Sequence, residues 1–146
     1  MTVHSTLTGA SVWPADLVTA GVVADASHVY AGRRPQQIRH DVEVWLEQLP
    51  TEDASQSGLQ IATRHPYMVH VIRKGNDGPG RRGARNLNEV EGHLHTIRQR
   101  YHGLCPFLSA VSGMVHAEAV VEEVDDDPEE TKAQIGTVRV TFTVAE

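Results

Sequence analysis

Cysteine is nearly absent from this sequence. Cys105 stands alone among 146 residues, which excludes an internal disulfide framework and fits a reducing compartment or a protein that does not use disulfides. Aromatic residues make up only 5%, so we predict a core built from Val, Leu, Ile and Ala. Apolar runs stay shorter than the roughly 18 to 20 residues that cross a bilayer, and the amino terminus lacks the basic and apolar regions of a signal peptide.

Basic residues are fewer than acidic ones. The 13 Lys and Arg residues face 19 Asp and Glu residues, giving a formal net charge of −6, which argues against nucleic-acid binding through bulk charge. The hydrophobic fraction of 40% and the charged fraction of 22% are those of an ordinary globular protein. A chain of this length can bury a sizeable core, so we predict one domain over residues 1–146.

The clearest pattern lies in residues 113–146, where two alternating runs flank an acidic turn. One face of the second run is apolar and consists of Val138, Val140, Phe142 and Val144. The matching face of the first run consists of Val115, Ala117, Ala119 and Val121. Between the runs, DDDPEET clusters like charges around a proline, which strands avoid. The sequence therefore predicts a long C-terminal β-hairpin.

An amphipathic helix is predicted upstream of this hairpin, from about residue 86 to residue 101. Asn86 can cap it, with Glu89 completing a variant of the capping box, and Gly103 can end it. Its apolar stripe consists of Leu87, Val90, Leu94, Ile97 and Tyr101, spaced three and four residues apart.

The remaining elements are weaker in the sequence. Residues 1–12 are small and polar and are expected to form a flexible arm. Trp13-Pro14 suits the start of a helix, although the LVTAGVV that follows also suits a buried strand. Further strands are predicted at residues 41–50 and 65–74, with another at 59–63. Strands grouped around one well-formed helix favour the α+β class: a small, largely antiparallel or mixed sheet of four or five strands, with two helices packed on one face.

Residues 75–85 read GNDGPGRRGAR, which breaks all regular structure. Neither the P-loop nor the dinucleotide-binding glycine motif is present. The loop is expected to be mobile, and it has a basic tip formed by Arg81, Arg82 and Arg85. Its length suggests a role beyond connection, and three interpretations stay open: a linker, an ordered contact with a protein partner, or a contact with a nucleic-acid backbone.

Candidate chemical sites are weak. His93 and His95 are two residues apart on the predicted helix and point in opposite directions, so they cannot share a metal ion. The acidic turn lacks the alternating oxygens and the glycine of a calcium loop. Cys105 lies in an apolar stretch that suits a buried thiol better than a nucleophile. We therefore predict no catalytic residue, no metal and no cofactor, and a protein that is not an enzyme.

The order of these segments resembles a known family. A VYAG turn leads to a strand, HPYMVHVIRK precedes a helix that ends RQRYHG, and GTVRVTFTV closes a hairpin with an acidic, proline-containing turn. This arrangement, over residues 28–146, is similar to that of the tail-terminator (tail-completion) proteins of long-tailed bacteriophages. The resemblance implies a virion protein of the tail or neck, assembled in the host cytoplasm, that forms a homo-oligomeric ring, expected to be hexameric. The ring would cap the tail tube, stop its polymerisation and join it to the head–tail connector protein.

The same resemblance implies partners but no catalytic residue. We expect contacts with the tail tube protein and the connector, no membrane, and no specific nucleic-acid binding, with DNA passing through the ring. Opposite charges on two loops suggest pairing between neighbouring subunits through Arg81, Arg82, Arg85, Asp125, Asp126, Asp127, Glu129 and Glu130. The alternatives are another neck or head–tail joining protein, a small α+β enzyme or ligand-binding protein, and a regulatory or nucleic-acid-binding module.

Overall fold

The computed structural model describes residues 2–34, 39–53, 62–74, 84–103, 107, 109–126 and 134–145. Its helices are α1 (Val3–Leu7), α2 (Trp13–Thr19) and α3 (Ala84–Tyr101), with a short 3-10 turn at Ala26–His28. Its strands are β1 (Val29–Ala31), β2 (Val42–Gln48), β3 (Glu52–Asp53), β4 (Ala62–Arg73), β5 (Met114–Asp126) and β6 (Gln134–Ala145). Within the described residues, no helix has the length and apolar character needed to cross a membrane.

The strands form one mixed sheet in the order β1-β2-β4-β6-β5, and β3 pairs with β4. β1 runs parallel to β2, whereas the other pairs are antiparallel. The predicted α+β class and the C-terminal hairpin are confirmed, the hairpin being β5 and β6. The predicted number of elements was too low, because the described residues already form a six-stranded sheet and three helices. The two additional strands are two and three residues long, too short to leave an alternating pattern.

The helices pack on one face of the sheet through an aromatic centre. Trp13 at the start of α2 meets Tyr67 of β4 and Phe142 of β6 edge-on, with ring centroids 5.0 Å apart in each case. Tyr101 of α3 and Phe107 complete this cluster, and all five side chains are buried. The prediction of a core of Val, Leu, Ile and Ala is confirmed for most of the buried residues, but the few aromatic residues are concentrated at its centre.

Two local predictions are corrected by the structure. The flexible arm predicted at residues 1–12 is wrong for its described part, residues 2–12, because α1 is capped by the Thr2 side chain and inserts Leu7 fully into the core. Val115 does not share the buried face of β5, because the register shifts between Met114 and His116; Met114 is buried and Val115 is 51% exposed. Such a bulge moves a side chain to the other face, and alternation alone cannot reveal it.

Helix α3 confirms four residues of its predicted stripe, Val90, Leu94, Ile97 and Tyr101, all of them buried; the side chain of Leu87, the fifth, lies outside the described part. Gly103 ends the helix with a φ of 75°, a conformation that glycine adopts without strain. The predicted cap at Asn86 is wrong, because the helix begins at Ala84. The separate strand predicted at residues 59–63 is also wrong: Ala62 and Thr63 belong to β4, and residues 59–61 lie outside the described residues.

Pro66 lies inside β4, where a missing N–H would ordinarily weaken the ladder. Its carbonyl accepts a hydrogen bond from the N–H of Leu49, at 3.0 Å. Since the N–H and C=O of one residue point to the same side of a strand, the absent donor faces the place where β2 has ended at Gln48. The proline therefore removes no bond from the central ladder.

Gly136 lets α3 approach β6 closely. A Cβ atom at this position would lie 2.6 Å from Val90 Cγ1 and 2.7 Å from Leu94 Cδ1. The strand therefore needs glycine here because a helix crosses directly over it.

We expect Gly136→Ala to lower the free energy of unfolding by about 1 to 3 kcal/mol through overpacking. Gly92→Ala is the matched control, because a Cβ there meets nothing within 4 Å and alanine favours a helix by about 0.5 to 1 kcal/mol. Urea denaturation of both variants measures the two effects. Equal stability of the variants would contradict the close packing of α3 on β6.

Candidate functional site

The contact residues predicted from the two charged loops are only partly visible. Arg81, Arg82, Asp127, Glu129 and Glu130 lie outside the described residues. Arg85 belongs to the first turn of α3, and Asp125 and Asp126 end β5.

The strand register places the two loops at the same end of the sheet. Arg73, the last residue of β4, pairs with Gln134 of β6, and Gln134 also pairs with Asp126 of β5. The chain that leaves β4 toward residues 75–85 and the chain that leaves β5 toward the acidic turn therefore start at the same end of the sheet, with β6 between them. Pairing within one chain is therefore an alternative to the predicted pairing between neighbouring subunits.

Strand β5 is the outermost strand at one side of the sheet and is 13 residues long. Both exposed large hydrophobic side chains of the described residues lie on it: Val115 at 51% and Val120 at 53% exposure. Glu118 and Glu122, on the same strand, are also exposed. A long edge strand that exposes valine and glutamate is a ready surface for another chain.

The C-terminal end of α3 covers this edge near its start. The N–H of Gly103 donates to the carbonyl of Ala117, at 2.7 Å, and the N–H of Ala119 donates to Nδ1 of His102, at 3.1 Å. These bonds occupy the outward-facing backbone groups of β5 near its start. The protein thus blocks its own edge at Ala117 and Ala119, a common device against unwanted strand pairing.

A charged cluster fixes the position of this helix end. Arg100 donates two hydrogen bonds to Asp16 of α2, at 2.7 and 2.6 Å, and the Tyr101 hydroxyl donates a third, at 2.7 Å. Burial raises the pKa of Asp16, but the hydrogen bonds from Arg100 and Tyr101 outweigh it, so the pKa lies below its ordinary value of 3.8. Burial, and after it the neighbouring Asp16 carboxylate, raises the pKa of Tyr101 well above its ordinary value.

The helix-free face of the sheet carries a hydrogen-bonded relay across three strands. Nε2 of His70 lies 3.0 Å from a carboxylate oxygen of Glu47, and Nδ1 lies 3.0 Å from the Thr137 hydroxyl. The Trp45 ring stacks on the imidazole with centroids 4.6 Å apart. In the neutral ring Nε2 donates to the carboxylate, and Nδ1 accepts from the hydroxyl.

This relay has the connectivity of an acid, a base and a nucleophile, which sequence reasoning missed because its members are far apart in the chain. Thr137 is only 7% exposed, which leaves little of the residue accessible to a substrate. A nucleophile needs room for a substrate and donors for the developing oxyanion. The relay therefore fits a brace that ties β2, β4 and β6 together.

A cavity of about 570 Å³ opens beside the start of β2. The stacked imidazoles of His28 and His40, with centroids 3.6 Å apart, line it together with Arg39 and His93. Burial lowers the pKa of His93, which favours its neutral form at pH 7. Across the described part of the chain, no three His, Cys, Asp or Glu side chains are grouped as metal ligands.

We expect Asp16→Asn to lower the free energy of unfolding by about 1 to 2 kcal/mol at pH 7, because a partly exposed charged acceptor is lost. Since folding lowers the pKa of Asp16, its stabilisation is complete above the ordinary value of 3.8 and is lost as the pH falls through the folded-state pKa. The stability of the two proteins should therefore converge in acid. Denaturation at pH 7 and at a pH below 3.8 tests this, with the exposed Asp41→Asn as control. The same difference in unfolding free energy at both pH values would contradict it.

Comparisons with known proteins identify a fold and no family. No protein-family model matches the chain, and no curated protein matches it. Among solved structures, it is similar to a chain described as "Virion of native gene transfer agent (GTA) particle", with a TM-score of 0.62 and 16% sequence identity. The match covers 90% of this chain and 87% of the other. The described fold is thus one that also occurs in a component of a virion.

Proposed function

We propose that this chain is a structural subunit of a phage-like virion, and that it acts as a tail terminator. As such it forms a ring, expected to be hexameric, that caps the tail tube, stops its growth and joins it to the head–tail connector. The observation that carries the proposal is the shared fold over 90% of the chain with a virion component. The segment order over residues 28–146 supports the narrower role, since it resembles tail-terminator proteins.

The surface of the chain is consistent with assembly. The exposed valines and glutamates of β5 lie along a sheet edge. Another chain can add hydrogen bonds and side-chain contacts there. The relay of Glu47, His70 and Thr137 braces the sheet, so the face opposite the helices offers a rigid platform. Rigid elements keep an interface preorganised and reduce the entropy lost on association.

Tube growth tests the tail-terminator role directly. Adding the purified chain to polymerising tail tube protein of the same particle should give shorter tubes, each with an added ring at one end in negative-stain images. Equal amounts of a protein of similar size and charge serve as the control. Tubes of unchanged length, together with binding to the connector protein, would instead support another neck component.

The basic loop provides a second test. Replacing Arg81, Arg82 and Arg85 with Ser should weaken ring assembly at moderate salt, because screened charge pairs between subunits are lost. Arg98→Ser, an exposed change on α3, is the control and should leave assembly unchanged. Because the strand ends that lead into both charged loops lie at one end of the sheet, unfolding of the monomer should be measured as well. Unchanged assembly would overturn pairing between subunits, and a loss of monomer stability alone would assign the pairing to one chain.

A further inference from the structure

The two outermost strands of the sheet, β1 and β5, lie at the same height along the strand direction. Val29–Ala31 of β1 pair with Val44–Leu46 of β2, which pair with Val69–Val71 of β4. These face Gly136–Val138 of β6, and that stretch pairs with β5 from Val121 to Val124. A single row of paired residues therefore joins β1 at one edge to the segment 121–124 at the other.

Residues 121–124 of β5 follow directly after the stretch that the end of α3 covers. The N–H of Ala119 points away from β6 toward His102, and backbone groups alternate in direction along a strand. The N–H and C=O of Val121 therefore also point outward. A register shift between Val121 and Glu123 follows directly, and the exposed Glu122 lies within it.

We propose that β1 of a second copy of this chain docks on the outer edge of β5 at Val121–Val124, continuing one sheet from subunit to subunit. This inference rests on the ring of the proposed function and names its contact. β1 has three residues, about the length of the uncovered row. Because β1 and β5 run in opposite directions within the sheet, a continued sheet makes this pairing antiparallel.

Two features favour a second copy as the occupant. The contact joins two different surfaces that lie at the same level, so repeating it advances little along the strands and can close into a ring. The charges also match, because Arg33, exposed just after β1, approaches the exposed Glu118 and Glu122 of the neighbour in this arrangement. A contact between two β5 edges would instead set acidic side chains against one another.

Backbone pairing is tested at Val121. Val121→Pro removes an outward N–H and keeps the pairing with β6, so it should weaken self-association about tenfold, or about 1.4 kcal/mol. Val121→Ala keeps the N–H and should associate like the parent. Sedimentation measures association, and circular dichroism confirms that both variants fold. Undiminished association of a folded Val121→Pro variant would overturn the proposal.

Crosslinking identifies the two surfaces. In a Cys105→Ser background, Arg33→Cys combined with Glu122→Cys should give a ladder of covalent oligomers with a short bismaleimide, whereas neither single-cysteine variant should. Dimers from Glu122→Cys alone would reveal a β5–β5 contact and overturn the proposal. Rings that persist without a ladder would overturn this contact while leaving the proposed function intact. If the parent forms no ring even with tail tube protein, the proposed function fails instead.

Discussion

The close packing of α3 on β6 determines which part of the edge strand β5 the helix covers. Gly136 removes the side chain that would separate helix and strand, and the helix then crosses the sheet at a fixed height. Asp16, Arg100 and Tyr101 hold its other end. Its last residues consequently meet β5 at Ala117 and Ala119. The helix end thus covers β5 near its start, whereas no hydrogen bond within the described residues reaches the outward backbone groups of Val121.

Sequence reasoning succeeded where one residue pattern matches one element. The alternation from Val138 to Val144 predicted β6 correctly, and the stripe from Val90 to Tyr101 predicted α3 correctly. In each element the buried side chains repeat with the period of a strand or of a helix. It failed where tertiary contacts decide. Leu7 is buried because a capped turn brings it to the core, Val115 is displaced by a bulge, and β1 is too short to carry a period.

The candidate site illustrates the same limit. Runs of charged residues are visible in a sequence, and the contacts predicted from it therefore included Arg81 and Asp127. Whether a strand lies at the edge of a sheet depends on the strand order, which the sequence of that one strand does not contain. The register shows that both loops leave the sheet at one end. It also shows that the uncovered edge of β5 is level with β1. The proposed assembly through sheet edges rests on this register, and the predicted pairing of the charged loops is a separate contribution to it.

The central claim is that this chain acts as a ring-forming subunit of a virion. Native mass spectrometry of the purified protein, alone and with the tail tube protein of its particle, tests that claim most directly. The account predicts one closed oligomer, a hexamer, that is formed or enriched when tube protein is present. A stable monomer under both conditions would contradict it.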